Sequence, residues 1–94
     1  MEIRGIIKKV LPERSGTSNR TGEPWRIASY VLETEERCPQ RIMFEVSDGT
    51  QGRIARLNLQ EGKIYKVFIN FDASEYDGKW YNRVSAYEAR EIAE

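Results

Sequence analysis

The chain predicts an all-β fold with small α content, a closed barrel, and three features of the sequence carry that prediction. Segments rich in β-branched and aromatic residues alternate apolar and polar side chains at a period of two along most of the chain. Polar breaks bearing glycine or proline separate them, and one of these, Asp77-Gly78, is the strongest hairpin signal present. Finally, 94 residues bury one modest core and no more, so a single domain is expected over residues 1–94.

The first strand is predicted from Ile3 to Leu11. Alternation places Ile3, Gly5, Ile7 and Leu11 on one face, with a bend at Gly5, and Pro12 ends it. Residues 12–24, PERSGTSNRTGEP, hold two glycines and two prolines among polar side chains and predict a long loop. From Trp25 alternation returns, with Arg26, Ala28, Tyr30 and Leu32 on one face and Trp25, Ile27, Ser29 and Val31 on the other. After the turn ETEERCPQ, Ile42, Phe44 and Val46 alternate with Arg41, Met43 and Glu45 in a third strand that SDG stops. Thr50–Leu59, with apolar positions at Ile54, Leu57 and Leu59, predicts a helix of about two or three turns. In the fourth strand Tyr65, Val67, Ile69 and Phe71 face one way and Ile64, Lys66, Phe68 and Asn70 the other. Asp77-Gly78 then supplies the positive φ angles of a type I′ turn. The fifth strand is predicted over Trp80–Glu88, and EAREIAE reads as a terminal helical turn or a frayed end.

The resulting order is strand, long loop, strand, strand, short helix, strand, tight hairpin, strand. It matches the plan of an OB-fold, a five-stranded Greek-key barrel with a helix between strands three and four. An SH3-like barrel would place its helical turn between the last two strands, where this chain has Asp77-Gly78.

Composition removes much chemistry. With no histidine, imidazole triads, histidine-containing zinc sites and histidine pH switches are excluded. Cys38, the one cysteine, has only Glu36, Arg37 and Arg41 as charged neighbours in ERCPQR, so a plain surface thiol and a reducing compartment are expected. SGTSNRTGEP lacks the Gly-Lys-Ser/Thr ending of a phosphate-binding loop, and Asp72, Glu75 and Asp77 do not have calcium-loop spacing. No enzymatic activity, cofactor or metal is therefore expected. No apolar run approaches the roughly 20 residues of a membrane helix, and MEIRGIIKKVL lacks a signal-peptide pattern, so a cytoplasmic protein without membrane association is expected. Net charge is +0, but it is unevenly spread: residues 1–26 carry six basic and three acidic side chains, and 27–48 two and five. Residues 49–83 then carry six basic and four acidic, so positive charge gathers near the first loop and again towards the final hairpin.

The segments LPERSGTS, GEPWR, YVLETEE, RIMFEV and YDGKWYN together resemble a family of short bacterial and phage proteins of uncharacterised function, over nearly the whole chain. The resemblance implies an OB-fold related to bacterial single-stranded DNA-binding proteins. Tyr30, Leu32 and Thr34 are similar to a second-strand pattern of that wider group. In that group an acidic tail with an apolar tip recruits partner enzymes, and tetramers form largely through the first strand. This chain ends in REIAE, which puts recruitment by such a tail in question, whereas MEIRGIIKKV could pair in the same manner.

Sequence-tolerant binding of a single strand needs cations to follow phosphates and flat rings on which bases stack. An OB-fold usually offers them from its second and third strands and the loops between strands one and two and four and five. Those places here hold Arg14, Arg20, Trp25 and Arg26, then Tyr76, Lys79, Trp80 and Tyr81. Strand alternation assigns Trp80 to the barrel interior or rim, and Tyr81 with Arg83 to the outer face. The candidate nucleic-acid-binding set is Arg14, Arg20, Trp25, Arg26, Lys66, Phe68, Tyr76, Lys79, Tyr81 and Arg83, with Trp25, Tyr81 and Phe68 stacking bases. Two structural alternatives stand beside it: Tyr81 packing across strands on Phe68, and Trp25 closing the barrel end. The expected function is a non-enzymatic module that binds single-stranded DNA, or RNA, as an accessory to replication or repair. The alternative is a protein-interaction or oligomerisation module using Trp25, Ile27 and Val31, with a homo-oligomer, dimer or tetramer, left open.

Overall fold

The computed structural model describes residues 1–48 and 52–92. Its elements are β1 (Glu2–Val10), β2 (Arg14–Thr17), β3 (Pro24–Thr34), β4 (Arg41–Ser47), α1 (Arg53–Leu57), β5 (Ile64–Tyr76) and β6 (Lys79–Glu91). The sheet order is β1-β5-β6-β4-β3-β2, and an additional β1–β3 pairing closes five of the strands into a ring. β1 makes closure possible because it is shared: Glu2–Ile6 pair with β5 and Gly5–Val10 pair with β3. At Gly5 both partners are present, opposite Thr34 and Tyr65. The register with β3 slips between Ile7 and Lys9, so Lys8 is an extra residue, and both lysines face solvent.

The alternation predicted from the sequence sorts the core. Ile7, Tyr30, Leu32, Phe44, Val46, Tyr65, Val67 and Ile69 fill the barrel, with Tyr30 and Phe44 stacked at 5.5 Å between ring centroids. Burial raises the Tyr30 hydroxyl above its ordinary pKa, because the phenolate loses hydration there. Ile54 and Leu57 of α1, with Leu59, are buried in the same core. The Tyr65 hydroxyl locks the segment after the helix, accepting from Gln60 N–H at 2.9 Å and donating to the Asn58 carbonyl at 3.3 Å.

Four expectations need correction. The long loop over 12–24 contains β2, whose residues pair from Arg14 opposite Ile27 to Thr17 opposite Pro24. It has no sequence signature because RSGT buries neither face. The strands therefore number six, and the helix lies between β4 and β5 rather than between strands three and four. The helix is also shorter than predicted: it is confined to Arg53–Leu57, and Asn58, with φ 47°, leaves the helical path. Thr50 and Gln51 of the predicted helix lie outside the described residues. Finally, Ala89–Glu91 continue β6 opposite Val67–Tyr65 instead of forming a helical turn.

β5 and β6 run on past the barrel as a ribbon. Pairing continues to Tyr76 opposite Lys79, around a turn in which Asp77 and Gly78 have φ of 52° and 76°, the two positive values of a type I′ turn.

Candidate functional site

The outer face of β4 is organised by Glu45. It lies opposite Ser29 of β3 on one side and Ser85 of β6 on the other. Arg14 Nη2 donates to Glu45 Oε2 at 3.3 Å, and Arg83 Nη2 lies 4.0 Å from the same oxygen. One carboxylate thereby draws together two guanidinium groups from strands on opposite flanks. Both arginine side chains remain mostly exposed, at 61% and 58%, whereas that of Glu45 is 20% exposed.

From Arg83 the face continues along the ribbon. Tyr76 opposite Lys79, Ser74 opposite Tyr81 and Asp72 opposite Arg83 all project from one side. Tyr81 is 52% exposed and faces Ser74, so cross-strand packing on Phe68 does not occur. On the other flank Trp25 is the second residue of β3. Its indole rests on Gly16 of β2 so closely that a Cβ at position 16 would meet ring carbon Cζ2 at 2.7 Å, and 42% of Trp25 stays exposed. The ring thus packs on a neighbouring strand.

Pro24, Trp25, Arg26, Ile27, Ser47 and Asp48 line a depression of about 350 Å³ beside this indole. Arg26 lies there but is engaged: Nη2 donates to Glu13 Oε2 at 2.7 Å, and Nη1 is 3.7 Å from Asp48 Oδ2. The hydrogen bond to Glu13, then its charge and that of Asp48, hold the guanidinium pKa above its ordinary value. Arg20 sits on the turn between β2 and β3, where Ser18 Oγ accepts from the Arg20 and Thr21 N–H groups. Neither Arg20 nor Lys79 makes an ion pair with the described residues.

Two members of the candidate set lie elsewhere. Lys66 is opposite Arg4 of β1, with its amine 3.6 Å from Glu2. Phe68 sits tilted against Tyr87 at 6.1 Å, beside Glu88. The Ala89 N–H, and then Arg56, hold the Glu88 carboxyl below its ordinary pKa. This cluster is on the β1 flank, away from Glu45. Trp80 is also corrected: it shares its side with Val84 and Ala86 as alternation predicts, but the ribbon carries it beyond the barrel end, leaving it 67% exposed. Asp48 escaped the sequence reading because SDG signals a strand stop and nothing more. Ile27 and Val31 are half-buried, so the largest exposed apolar side chains include Phe71 and Trp80 of the ribbon.

A closed five-strand Greek-key ring, with a short helix before its last hairpin, defines an OB-fold barrel. The chain belongs to the family described as "Domain of unknown function (DUF3127)", whose model matches residues 2–90. No curated protein matches it. Among solved structures it is similar to the dimeric N-terminal domain of PriB protein from Thermoanaerobacter tencongensis, with a TM-score of 0.67 and 14% identity, covering 100% of this chain and 96% of that one. The small single-stranded DNA-binding protein of Streptomyces coelicolor is also similar, at a TM-score of 0.48 and 11% identity over 98% of this chain and 92% of that one. No helix among the described residues is long and apolar enough to cross a membrane.

Proposed function

We propose that this protein is a non-enzymatic OB-fold module that binds single-stranded DNA, or RNA, across the outer face from Trp25 to Tyr81. The observation that carries the reading is the convergence of Arg14 and Arg83 on Glu45, with an exposed ring on either flank. Cations beside open rings supply the two terms a single strand needs: phosphate neutralisation and base stacking. The Tyr76 and Lys79 tip and Arg20 extend the face at its two ends. With a formal net charge of +0, binding is expected to be weak and steeply salt-dependent.

The direct test is fluorescence anisotropy of a labelled oligothymidine at low and at moderate salt. Salt-sensitive binding with quenched tryptophan emission supports the proposal; no binding at low salt and high protein concentration rejects it. A second expectation isolates Glu45. Its carboxylate repels phosphate and occupies both arginines, so Glu45→Gln should tighten binding several-fold. The salt dependence should also steepen by roughly 0.7 in logarithmic slope for each additional phosphate that the released arginines neutralise. Unchanged or weaker binding by this variant would show that the two arginines do not meet the strand.

A further inference from the structure

We infer that the side of the β5–β6 ribbon turned away from Tyr81 is an interface with a second copy of this chain, packed ribbon on ribbon about a two-fold axis. The inference does not depend on the nucleic-acid reading. Pairing fixes which residues share that side: Phe71 lies opposite Val84, Ala73 opposite Asn82 and Glu75 opposite Trp80. They continue the phase of Ile69 and Ala86, which are buried in the barrel, yet Phe71 is 58% and Trp80 67% exposed. Met1, hydrogen-bonded opposite Ile69 and also exposed, adjoins Phe71 on the same side. A two-stranded ribbon is marginal in water until one of its faces is packed, and this one stays paired from Asn70 opposite Ser85 to Tyr76 opposite Lys79.

This side is complementary to itself. Two ribbons running in opposite directions set the tip row of one, Glu75 and Trp80, over the base row of the other, Phe71 and Val84, so that Trp80 meets the Phe71 ring and Val84 of the second copy. The middle rows meet at the axis. There Ala73 leaves room, and the two Asn82 amides, each with a donor and an acceptor, hydrogen-bond to one another. Glu75 is the one charged side chain of the six; it lies on the ribbon's β5 edge, in reach of water. A nucleic-acid strand does not suit a side whose single charge is negative. Because both copies use the same patch, the contact closes at two. A buried aromatic covers roughly 150–250 Å², so the two rings leave on the order of 200–300 Å² open per copy. Four such rings with Met1, Val84 and the middle rows bring the contact near the roughly 1,000 Å² of a small specific interface, so the dimer is expected to be weak and concentration-dependent.

The test is sedimentation equilibrium of the full chain, without nucleic acid, from about 1 μM to about 1 mM. A monomer–dimer equilibrium is expected, and emission of Trp25→Phe, which retains Trp80, should shift to the blue as dimer forms. Asn82→Asp keeps the shape of an exposed side chain but sets two carboxylates together at the axis, so it should raise the dissociation constant roughly tenfold or more. Trp80→Glu should abolish the dimer. Ser74→Asp, which shares the other side of the ribbon with Tyr81, should leave it intact. A chain that is still monomeric at about 1 mM, or that grows past two copies without limit, overturns the inference. So does a dimer that survives both Asn82→Asp and Trp80→Glu, since its contact would then lie elsewhere on the barrel.

Discussion

Gly5→Val is expected to destabilise the barrel by about 2 kcal/mol or more, the range for forcing extra methyl groups into a packed interior. For a domain of this size that lowers the melting temperature by at least roughly 8–16 °C. Gly5 sits where β1 is paired with β5 and β3 at once. A Cβ there would collide with the Glu33 carbonyl oxygen and lie 2.7 Å from Leu32 Cδ2 and 2.8 Å from the Glu33 carbonyl carbon. Two of these obstacles are backbone atoms of β3, which cannot rotate away as a side-chain tip could, so relief requires the β1–β3 closure itself to open. The need at Gly5 is for close approach, whereas at Gly78 it is for a φ of 76° in open space. Thermal unfolding followed by circular dichroism is the check. A valine variant melting within a few degrees of the natural chain would show that β1 and β3 do not approach so closely.

The same closure explains what the sequence made legible. Alternation reveals a strand only where one face is buried: Ala28, Tyr30 and Leu32, Phe44 and Val46, and Tyr65, Val67 and Ile69 were readable because all of them point into the barrel. β2 buries neither face and gave no signal. Phe71 and Trp80 continue the inward phase of their strands, and periodicity cannot report that the ribbon has left the barrel beneath them. The candidate site divides along similar lines. Residue types singled out Arg14, Trp25, Tyr81 and Arg83, which share the Glu45 face. Charge partners distant in sequence were invisible: Glu2 beside Lys66 and Glu45 beside Arg14 are set by register, which only the closed sheet defines. Asp48 beside Arg26 is of the same kind, since the turn after β4 brings it there. An arginine therefore reads as available in the sequence whether or not the fold hands it a carboxylate.

Replacing both Trp25 and Tyr81 with alanine is expected to weaken single-strand binding by about 2–6 kcal/mol, from roughly 1–3 for each stacked base. That corresponds to at least about a thirtyfold loss of affinity. Stability should change far less, because Trp25 is 42% and Tyr81 52% exposed, and neither belongs to the core. The two rings lie on opposite flanks of Glu45, so each should hold a different base and their effects should add. Trp80 provides the internal control. It projects from the other side of the ribbon, so Trp80→Phe should leave affinity unchanged and make Trp25 the sole tryptophan. Emission from that variant should still be quenched by oligothymidine, and emission from Trp25→Phe, which retains Trp80, should not. Quenching that follows Trp80, or a double alanine variant with undiminished affinity, would move the stacking surface from the Glu45 face to the opposite side of the ribbon or remove it from the protein altogether.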